Sequence, residues 1–178
     1  MTIEGSAVPA IVVMGVTGSG KTTVGERLAA ALGGRFVDGD DLHSDAAREK
    51  MRAGRALDDD DRRPWLDRVG ATLREAQSLG APVIVACSAL KKRYRDRIRA
   101  AVGPALAFVY LEADREDMRK RVAARKGHYM PASLVDSQFA ALEAPAGEAD
   151  VLTVPANGVV EDEVARLAGR FKIRTPGN

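Results

Sequence analysis

The sequence predicts an α/β fold with a five-stranded parallel sheet and helices on both faces. Two observations lead to this prediction. Short apolar runs alternate with longer segments whose apolar residues recur at helical spacing, and the connections are mostly too long for hairpins. The run Pro82–Cys87 is apolar throughout, as expected of a strand covered on both faces. The length of 178 residues suits a single domain, residues 1–178.

The individual elements follow from local signals. Strands are predicted at 10–14, 35–37, 82–87, 105–111 and 151–154. Helices are predicted at about 21–32, 42–53, 64–80, 88–102, 115–125, 133–142 and 159–171. Pro64 in a first turn, preceded by acidic residues, is typical of a helix start, and the acidic run Asp58–Asp61 by itself indicates a solvated loop.

The composition argues against several classes of protein. Its 46% hydrophobic and 29% charged residues are ordinary for a soluble globular protein. A net charge of +2 and 4% aromatic residues argue against nucleic acid as the main partner. We expect no membrane span and no signal peptide, because no apolar run is long enough and Met1–Pro9 lacks the required pattern. The single Cys87 excludes an internal disulfide and is compatible with the cytoplasm.

A glycine-rich segment after the first strand matches the pattern G-x-x-x-x-G-K-[ST]. Glycines let successive backbone N–H groups face a phosphate, and the helix that follows adds its free N–H groups and its dipole. The lysine can reach the outer phosphates, and the threonine hydroxyl can hold Mg²⁺. We therefore predict a phosphate-binding loop made of Gly15, Val16, Thr17, Gly18, Ser19, Gly20, Lys21, Thr22 and Thr23.

Acidic residues at the ends of the strands are candidates for a metal site, because ligands of parallel α/β sheets bind beyond those ends. Many proteins with this loop place a metal-directing aspartate after the third strand. Here Cys87–Ser88 stands there, so Asp38, after the second strand, is predicted to hold Mg²⁺ together with Thr22. The alternative for Asp38–Asp41 is a turn followed by a helix cap, and Asp41 fits that alternative best.

Basic residues crowd the end of the predicted helix 115–125. Arg121 and Arg125 are four residues apart and share a helix face, so they are candidates for a lid at about 119–135 that stabilises a transferring phosphoryl group. The alternative for these basic residues is an ordinary solvated surface. Arg62 can face an anionic substrate. Neither His43 nor His128 has the spacing of a zinc site.

Further blocks of the sequence stand in the order found in a known family. They are Asp38-Gly39-Asp40-Asp41-Leu42-His43, Ala86-Cys87-Ser88-Ala89-Leu90-Lys91, Ser137-Gln138-Phe139 and Leu142-Glu143. With the phosphate loop they make the chain similar to gluconate kinases, of the shikimate-kinase-like branch of P-loop kinases, from about Ile11 to Glu143. Ala47 and Ala56 depart from the family pattern, which usually has Asn and Pro. The resemblance implies a three-layer sandwich of the P-loop NTPase, nucleoside-monophosphate-kinase-like type, with an acceptor-binding helical segment at about 42–80.

The resemblance also implies a function: ATP-dependent phosphorylation of the 6-hydroxyl of D-gluconate, in a cytoplasmic homodimer. It implies that Asp40 orients this hydroxyl and takes its proton, and that Arg121 and Arg125 close over the transferring phosphate. Asn157, in the loop after the fifth strand, would border the adenine. The residues expected to contact gluconate are Asp40, His43, Lys50, Arg62, Lys91, Arg93 and Gln138.

Two alternatives remain open from the sequence. The first is a P-loop kinase for another small acceptor, such as shikimate or a nucleoside monophosphate, because a basic cluster around Arg62 suits any anionic acceptor. The second is a nucleotide-binding module without turnover, which would keep the phosphate loop but have no use for Asp40 or the lid arginines.

Overall fold

The computed structural model describes residues 9–124 and 132–171 and contains one parallel sheet. Its strands lie in the order β2-β3-β1-β4-β5, and every neighbouring pair is parallel. This confirms the predicted sheet. The strand bounds are β1 Ala10–Met14, β2 Arg35–Asp38, β3 Val83–Ala86, β4 Leu106–Glu112 and β5 Val151–Pro155.

Helices connect consecutive strands, as parallel pairing requires. Between β2 and β3 the chain forms a 3₁₀ turn and two helices, which make up the segment predicted to bind the acceptor. The helical elements are α1 Lys21–Leu32, the 3₁₀ turn Gly39–Leu42, α2 Asp45–Arg52, α3 Asp59–Leu79, α4 Lys92–Val102, α5 Arg115–Ala123, α6 Ala132–Ala141 and α7 Val160–Phe171. Within residues 9–124 and 132–171, no helix combines the length and apolarity that crossing a membrane requires.

Successive residues of the buried strands point into two different cores. Val12 and Met14 belong to a core with side chains of α3 and α4, such as Leu73 and Ile98. Ile11 and Val13 belong to a second core, which α1 and α7 cover with Leu28, Ala29, Leu167 and Phe171. The alternation of one strand between two cores makes the molecule a three-layer sandwich, as predicted.

Two helix starts differ from the prediction, and side-chain caps explain both. The segment expected to be helical from Leu42 is interrupted, and α2 begins at Asp45 because the Ser44 side chain accepts a hydrogen bond from the Ala47 N–H. The helix expected from Pro64 begins at Asp59. There Asp58 and Asp61 form a capping box, so the acidic run is a helix start rather than a loop.

A third helix also starts later than predicted. Residues 88–91 form a turn, and α4 begins at Lys92. Ala89 in this turn has a φ of 45°, which no residue in a right-handed helix can have. The turn therefore separates β3 from α4 and presents its own backbone groups at the carboxyl edge of the sheet.

Candidate active site

The phosphate loop follows β1, and three of its glycines have positive φ angles, which favour glycine over other residues. Gly15, Gly18 and Gly20 have φ values of 146°, 81° and 95°. A Cβ atom on Gly15 would lie 2.9 Å from Ser19 Oγ and 3.0 Å from the Leu111 carbonyl oxygen, so a larger residue does not fit there. The backbone can therefore curl closely around an anion, as the motif predicts.

Lys21 lies against the loop that it is expected to serve. Its Nζ donates a hydrogen bond of 3.0 Å to the Val16 carbonyl, which also accepts one of 2.8 Å from Ser19 Oγ. Gly20, the N-cap of α1, contributes no side-chain cap. The start of α1 thus keeps its dipole and first N–H groups directed at the loop, where they suit a phosphate.

Thr22 and Asp38 meet at the carboxyl edge of the sheet, although β2 and α1 are separate elements. Thr22 Oγ1 lies 3.5 Å from Asp38 Oδ2. In the described part of the chain, no three His, Cys, Asp or Glu side chains converge where a metal ion could sit. One hydroxyl and one carboxylate nevertheless suit Mg²⁺, which keeps waters and takes phosphate oxygens as its remaining ligands.

Asp40 lies beside Asp38 in the 3₁₀ turn, and its N–H donates a hydrogen bond of 3.0 Å to Asp38 Oδ1. The residue is exposed as a whole, but the surrounding protein partly desolvates its carboxylate, which raises the pKa of Asp40. The charges of Asp38 and Asp41 raise the pKa further, while Lys21 opposes them. Asp40 is thus a carboxylate of increased basicity near the lysine of the phosphate loop.

The turn that carries Asp38 and Asp40 is held by Trp65 of α3. The indole Nε1 donates a hydrogen bond of 2.7 Å to the Gly39 carbonyl, and Trp65 is buried. A Cβ atom on Gly39 would lie 2.3 Å from the Ala86 carbonyl oxygen, so only glycine fits between the turn and β3. Trp65 and Gly39 together fix the position of the turn that carries Asp38 and Asp40.

The His43 ring stacks on Trp65, with ring centroids 4.4 Å apart and planes inclined by 13°. Burial lowers the pKa of His43 to about 4, and the charges of Arg62, Arg68 and Arg48 contribute. The ring is therefore neutral near pH 7. Its Nδ1 is buried and has no hydrogen-bond partner among the described residues. A buried ring nitrogen without a partner is uncommon in folded proteins, which makes His43 an unusual residue next to the turn that carries Asp40.

Three cations surround the Tyr94 ring, and we call them the cationic cluster: Arg62, Lys91 and Arg93. Each charged group lies 5.6 Å from the ring centroid. The Tyr94 hydroxyl donates a hydrogen bond of 2.5 Å to Asp59, which also pairs with Arg93 and lies 3.8 Å from Lys91 Nζ. Three positive charges and one carboxylate give the cluster an excess of positive charge, which suits an anionic ligand.

Charged groups of the phosphate loop, the 3₁₀ turn and α3 lie near Cys87, which directly follows β3. Burial raises the pKa of this thiol to about 12, so it is unreactive. The charges that act on it include Lys21, Asp40 and Arg62. Lys21 of the phosphate loop, Asp40 of the 3₁₀ turn and Arg62 of α3 are therefore near enough to Cys87 for their charges to act on it.

Lys50 has a different environment from the cationic cluster. Its ammonium group pairs with Asp61 and lies 4.0 Å from Asp58 Oδ2, the two residues of the capping box of α3. The structure thus associates Lys50 with the start of α3, which in turn carries Arg62.

A cavity of about 210 Å³ lies between the phosphate loop, α5 and the end of β5. Ser19, Thr23, Arg121 and Pro155 are among its lining residues. Arg121 Nη1 lies 3.1 Å from the Ala156 carbonyl oxygen and 3.5 Å from that of Gly18. This arrangement brings Arg121 to the outer side of the loop, as part of the cavity wall.

Three other predicted site residues have different outcomes. Asn157 is exposed, and its neighbours Ala156 and Gly158 line the cavity instead. Gln138 of α6 contacts the phosphate loop: its Oε1 accepts a hydrogen bond of 2.6 Å from the Thr17 N–H. Arg125 lies outside the described residues, as does the part of the predicted lid from 125 to 131.

Known proteins are similar to this chain in sequence and in fold. A family model described as an AAA domain matches residues 11–145. A thermosensitive gluconokinase of Escherichia coli (strain K12) is 42% identical over 147 residues, 82% of this chain and 78% of its own length. A gluconokinase of Gluconobacter oxydans (strain 621H) is 44% identical over 144 residues, 81% of this chain and 80% of its own length.

A solved structure adds the fold to this likeness. The crystal structure of a gluconokinase from Sinorhizobium meliloti 1021 is 41% identical, with a TM-score of 0.79 over 92% of this chain and 95% of that one. The chain belongs to the gluconokinase family. The resemblance predicted from the sequence blocks is thereby confirmed.

Within this member of the gluconokinase family, the structure reveals residues that the sequence did not single out. Arg95 is fully buried and donates hydrogen bonds to the carbonyls of Ala89, Leu90 and Glu143, as well as to the Glu148 carboxylate. In the sequence it stands in a run of basic residues, where nothing distinguishes a buried arginine from a solvated one. Asp59 likewise stands in an acidic run, where the sequence does not indicate its contacts with Tyr94 and Arg93.

Proposed function

We propose that the protein transfers the γ-phosphoryl group of ATP to the 6-hydroxyl of D-gluconate. The observation that carries this proposal is the proximity of the cationic cluster to the phosphate loop and Asp40. An acceptor with a carboxylate at one end and a hydroxyl at the other could bind both. The names of the relatives support gluconate as that acceptor.

The phosphate loop would hold ATP through its backbone N–H groups and the start of α1. The Lys21 ammonium group, which donates a hydrogen bond to the Val16 carbonyl, would bind the outer phosphates of ATP. Thr22 and Asp38 would hold Mg²⁺, which supplies neutralisation of the phosphate charge. The cavity beside Arg121 would receive the nucleoside. Arg121 would also stabilise the transferring phosphoryl group, together with Arg125.

Asp40 would receive the proton of the accepting hydroxyl. Phosphoryl transfer through a loose transition state requires mainly that this hydroxyl is oriented, with proton transfer late. The raised pKa of Asp40 favours its role as the proton acceptor, and its hydrogen bond to Asp38 fixes the turn from which it acts. Water would be excluded by the lid at about 119–135.

The acceptor would lie between the 3₁₀ turn and α4. Its carboxylate would meet the cationic cluster, and the half-buried His43 would lie beside its hydroxyls. Lys50 would act through the start of α3, and Gln138 through the phosphate loop. We also propose that the protein is cytoplasmic and forms a homodimer. Light scattering on the purified protein would test its oligomeric state.

An acceptor panel tests the proposal. ADP release would be measured with ATP and Mg²⁺ against D-gluconate, other sugar acids, shikimate and nucleoside monophosphates. We expect release to depend on gluconate and the product to be 6-phospho-D-gluconate. A preference for another anion would identify a kinase of different specificity, and ATP binding without acceptor-stimulated release would indicate a nucleotide-binding module.

A further inference from the structure

The end of α6 contacts both substrate regions of the proposed active site. Gln138 accepts a hydrogen bond of 2.6 Å from the Thr17 N–H in the phosphate loop. Five residues later, Glu143 bonds twice to the region between β3 and α4. Its Oε2 accepts a bond of 2.6 Å from the Lys92 N–H, and its own N–H donates one of 2.9 Å to the Leu90 carbonyl.

The bond from Gln138 reaches the peptide group that also contacts Lys21. Thr17 N–H and Val16 C=O belong to the same planar peptide group, and Lys21 Nζ donates to that carbonyl at 3.0 Å. Since the peptide plane is rigid, fixing its N–H also fixes the direction of its carbonyl. Gln138 thus orients a group against which the lysine of the phosphate loop is placed.

The bond from Glu143 supports α4, the helix that carries Arg93 of the cationic cluster and follows directly after Lys91. The N-cap of α4, Lys91, provides no side-chain cap, so the Glu143 carboxylate satisfies the first N–H of the helix from another part of the chain. A carboxylate at this position also complements the helix dipole. The residues that follow directly, Arg93 and Tyr94, belong to the acceptor region.

Two further contacts make this connection rigid. Val135 of α6 is fully buried in one apolar cluster with Val16 of the phosphate loop and Leu90 of the turn. The buried guanidinium of Arg95 joins the Glu143 carbonyl, at 3.0 Å, to the Leu90 carbonyl, at 3.1 Å. The segment from Val135 to Glu143 is therefore packed against both regions as well as hydrogen-bonded to them.

We propose that residues 138–143 form a tie that sets the position of the phosphate loop relative to the acceptor region. Gln138 and Glu143 are its positioning residues: Gln138 acts through the Val16–Thr17 peptide, and Glu143 through the first turn of α4. The inference rests on the proposed function, since it concerns the alignment of ATP with the acceptor. Displacements of about 1 Å in such an alignment can lower turnover by about 10²-fold.

The two residues should have different kinetic signatures. Gln138→Met keeps the shape of the side chain but removes the acceptor oxygen, so we expect kcat to fall about tenfold or more with the KM for gluconate within about twofold of wild type. Glu143→Ala removes the cap of α4, and we expect the KM for gluconate to rise about fivefold or more with the KM for ATP unchanged. Glu143→Gln keeps an acceptor oxygen and should restore the KM for gluconate.

Ser137→Ala is the matched control, because Ser137 is exposed on the same helix and, among the described residues, its hydroxyl donates only to the Leu134 carbonyl of that helix. Melting temperatures would be measured for all variants, and kinetics taken well below them. If Gln138→Met and Glu143→Ala lower the melting temperature but keep wild-type kcat and KM, the residues are merely structural and the tie is wrong. A raised KM for gluconate in Gln138→Met at unchanged kcat would instead make Gln138 a substrate contact and also overturn it.

The acceptor panel on the wild-type protein tests the proposed function separately. The tie is read from ratios between variant and wild type, using whichever acceptor the wild type phosphorylates. A protein that prefers another anion would therefore contradict the choice of gluconate and leave the tie to be decided by these ratios. Absence of turnover with every acceptor would overturn both proposals.

Discussion

Thr22 Oγ1 and Asp38 Oδ2 lie 3.5 Å apart, although one begins a helix and the other ends a strand 16 residues later. Asp38 occupies the place that an aspartate after the third strand fills in many proteins with this loop, where this chain has Cys87. Thr22 and Asp38 are thus the candidate ligands of Mg²⁺. The other carboxylate oxygen of Asp38, Oδ1, accepts a hydrogen bond from the Asp40 N–H.

Asp38→Asn should shift the Mg²⁺ dependence of turnover to higher concentration. The substitution keeps the oxygen that accepts the Asp40 N–H but removes the negative charge that attracts the ion. The measurement is a Mg²⁺ titration of the initial rate at saturating ATP and gluconate. An unchanged titration curve in a folded Asp38→Asn protein would show that the ion is held elsewhere.

Asp40→Asn should lower kcat by about 10²–10⁴-fold, the usual contribution of a general base, while ATP affinity stays close to wild type. The asparagine keeps the shape but loses the carboxylate whose pKa burial raises. Single-turnover rates with gluconate measure the effect. Asp41→Asn is the matched control in the same turn. If Asp41→Asn abolishes turnover while Asp40→Asn keeps the wild-type rate, the base is Asp41 instead of Asp40.

Arg62→Ala should raise the KM for gluconate about 10- to 100-fold with little change in kcat, because a charged hydrogen bond to a carboxylate contributes about 1.5–3 kcal/mol. Arg62 lies over Tyr94 within the cationic cluster. Its neighbour Arg63 pairs with Asp60 on the surface, so Arg63→Ala is the control. Equal effects of the two substitutions would contradict a specific role for Arg62.

The pH dependence of stability should report His43. Its pKa is lowered to about 4 in the folded protein from 6.5, so the unfolded chain binds a proton that the folded one does not. The free energy of unfolding is therefore expected to fall as the pH drops from 6.5 towards 4. His43→Phe keeps a ring against Trp65 and removes the titration. Urea unfolding at pH 7 and pH 5 should show a smaller loss in this variant than in wild type.

The parts of this protein that could be predicted from sequence are those set by near neighbours in the chain. The phosphate loop needs glycines, a lysine and a hydroxyl at a fixed local spacing, so Gly15 and Lys21 were found directly. The five strands were found because buried parallel strands are apolar along their length. Helix starts are harder to predict, because Pro64 favours one start of α3 whereas the capping box of Asp58 and Asp61 produces an earlier one.

Contacts between distant segments depended on the tertiary structure. Gln138 and Thr17 are 121 residues apart, and Glu143 and Lys92 are 51 apart. In a linear sequence a buried Arg95 and a solvated Arg93 look alike, because only packing decides which guanidinium loses its water and must find carbonyl and carboxylate partners. Local spacing thus predicts the phosphate-binding chemistry, whereas the alignment of the acceptor region with it arises only when α6, the 88–91 turn and the phosphate loop pack together.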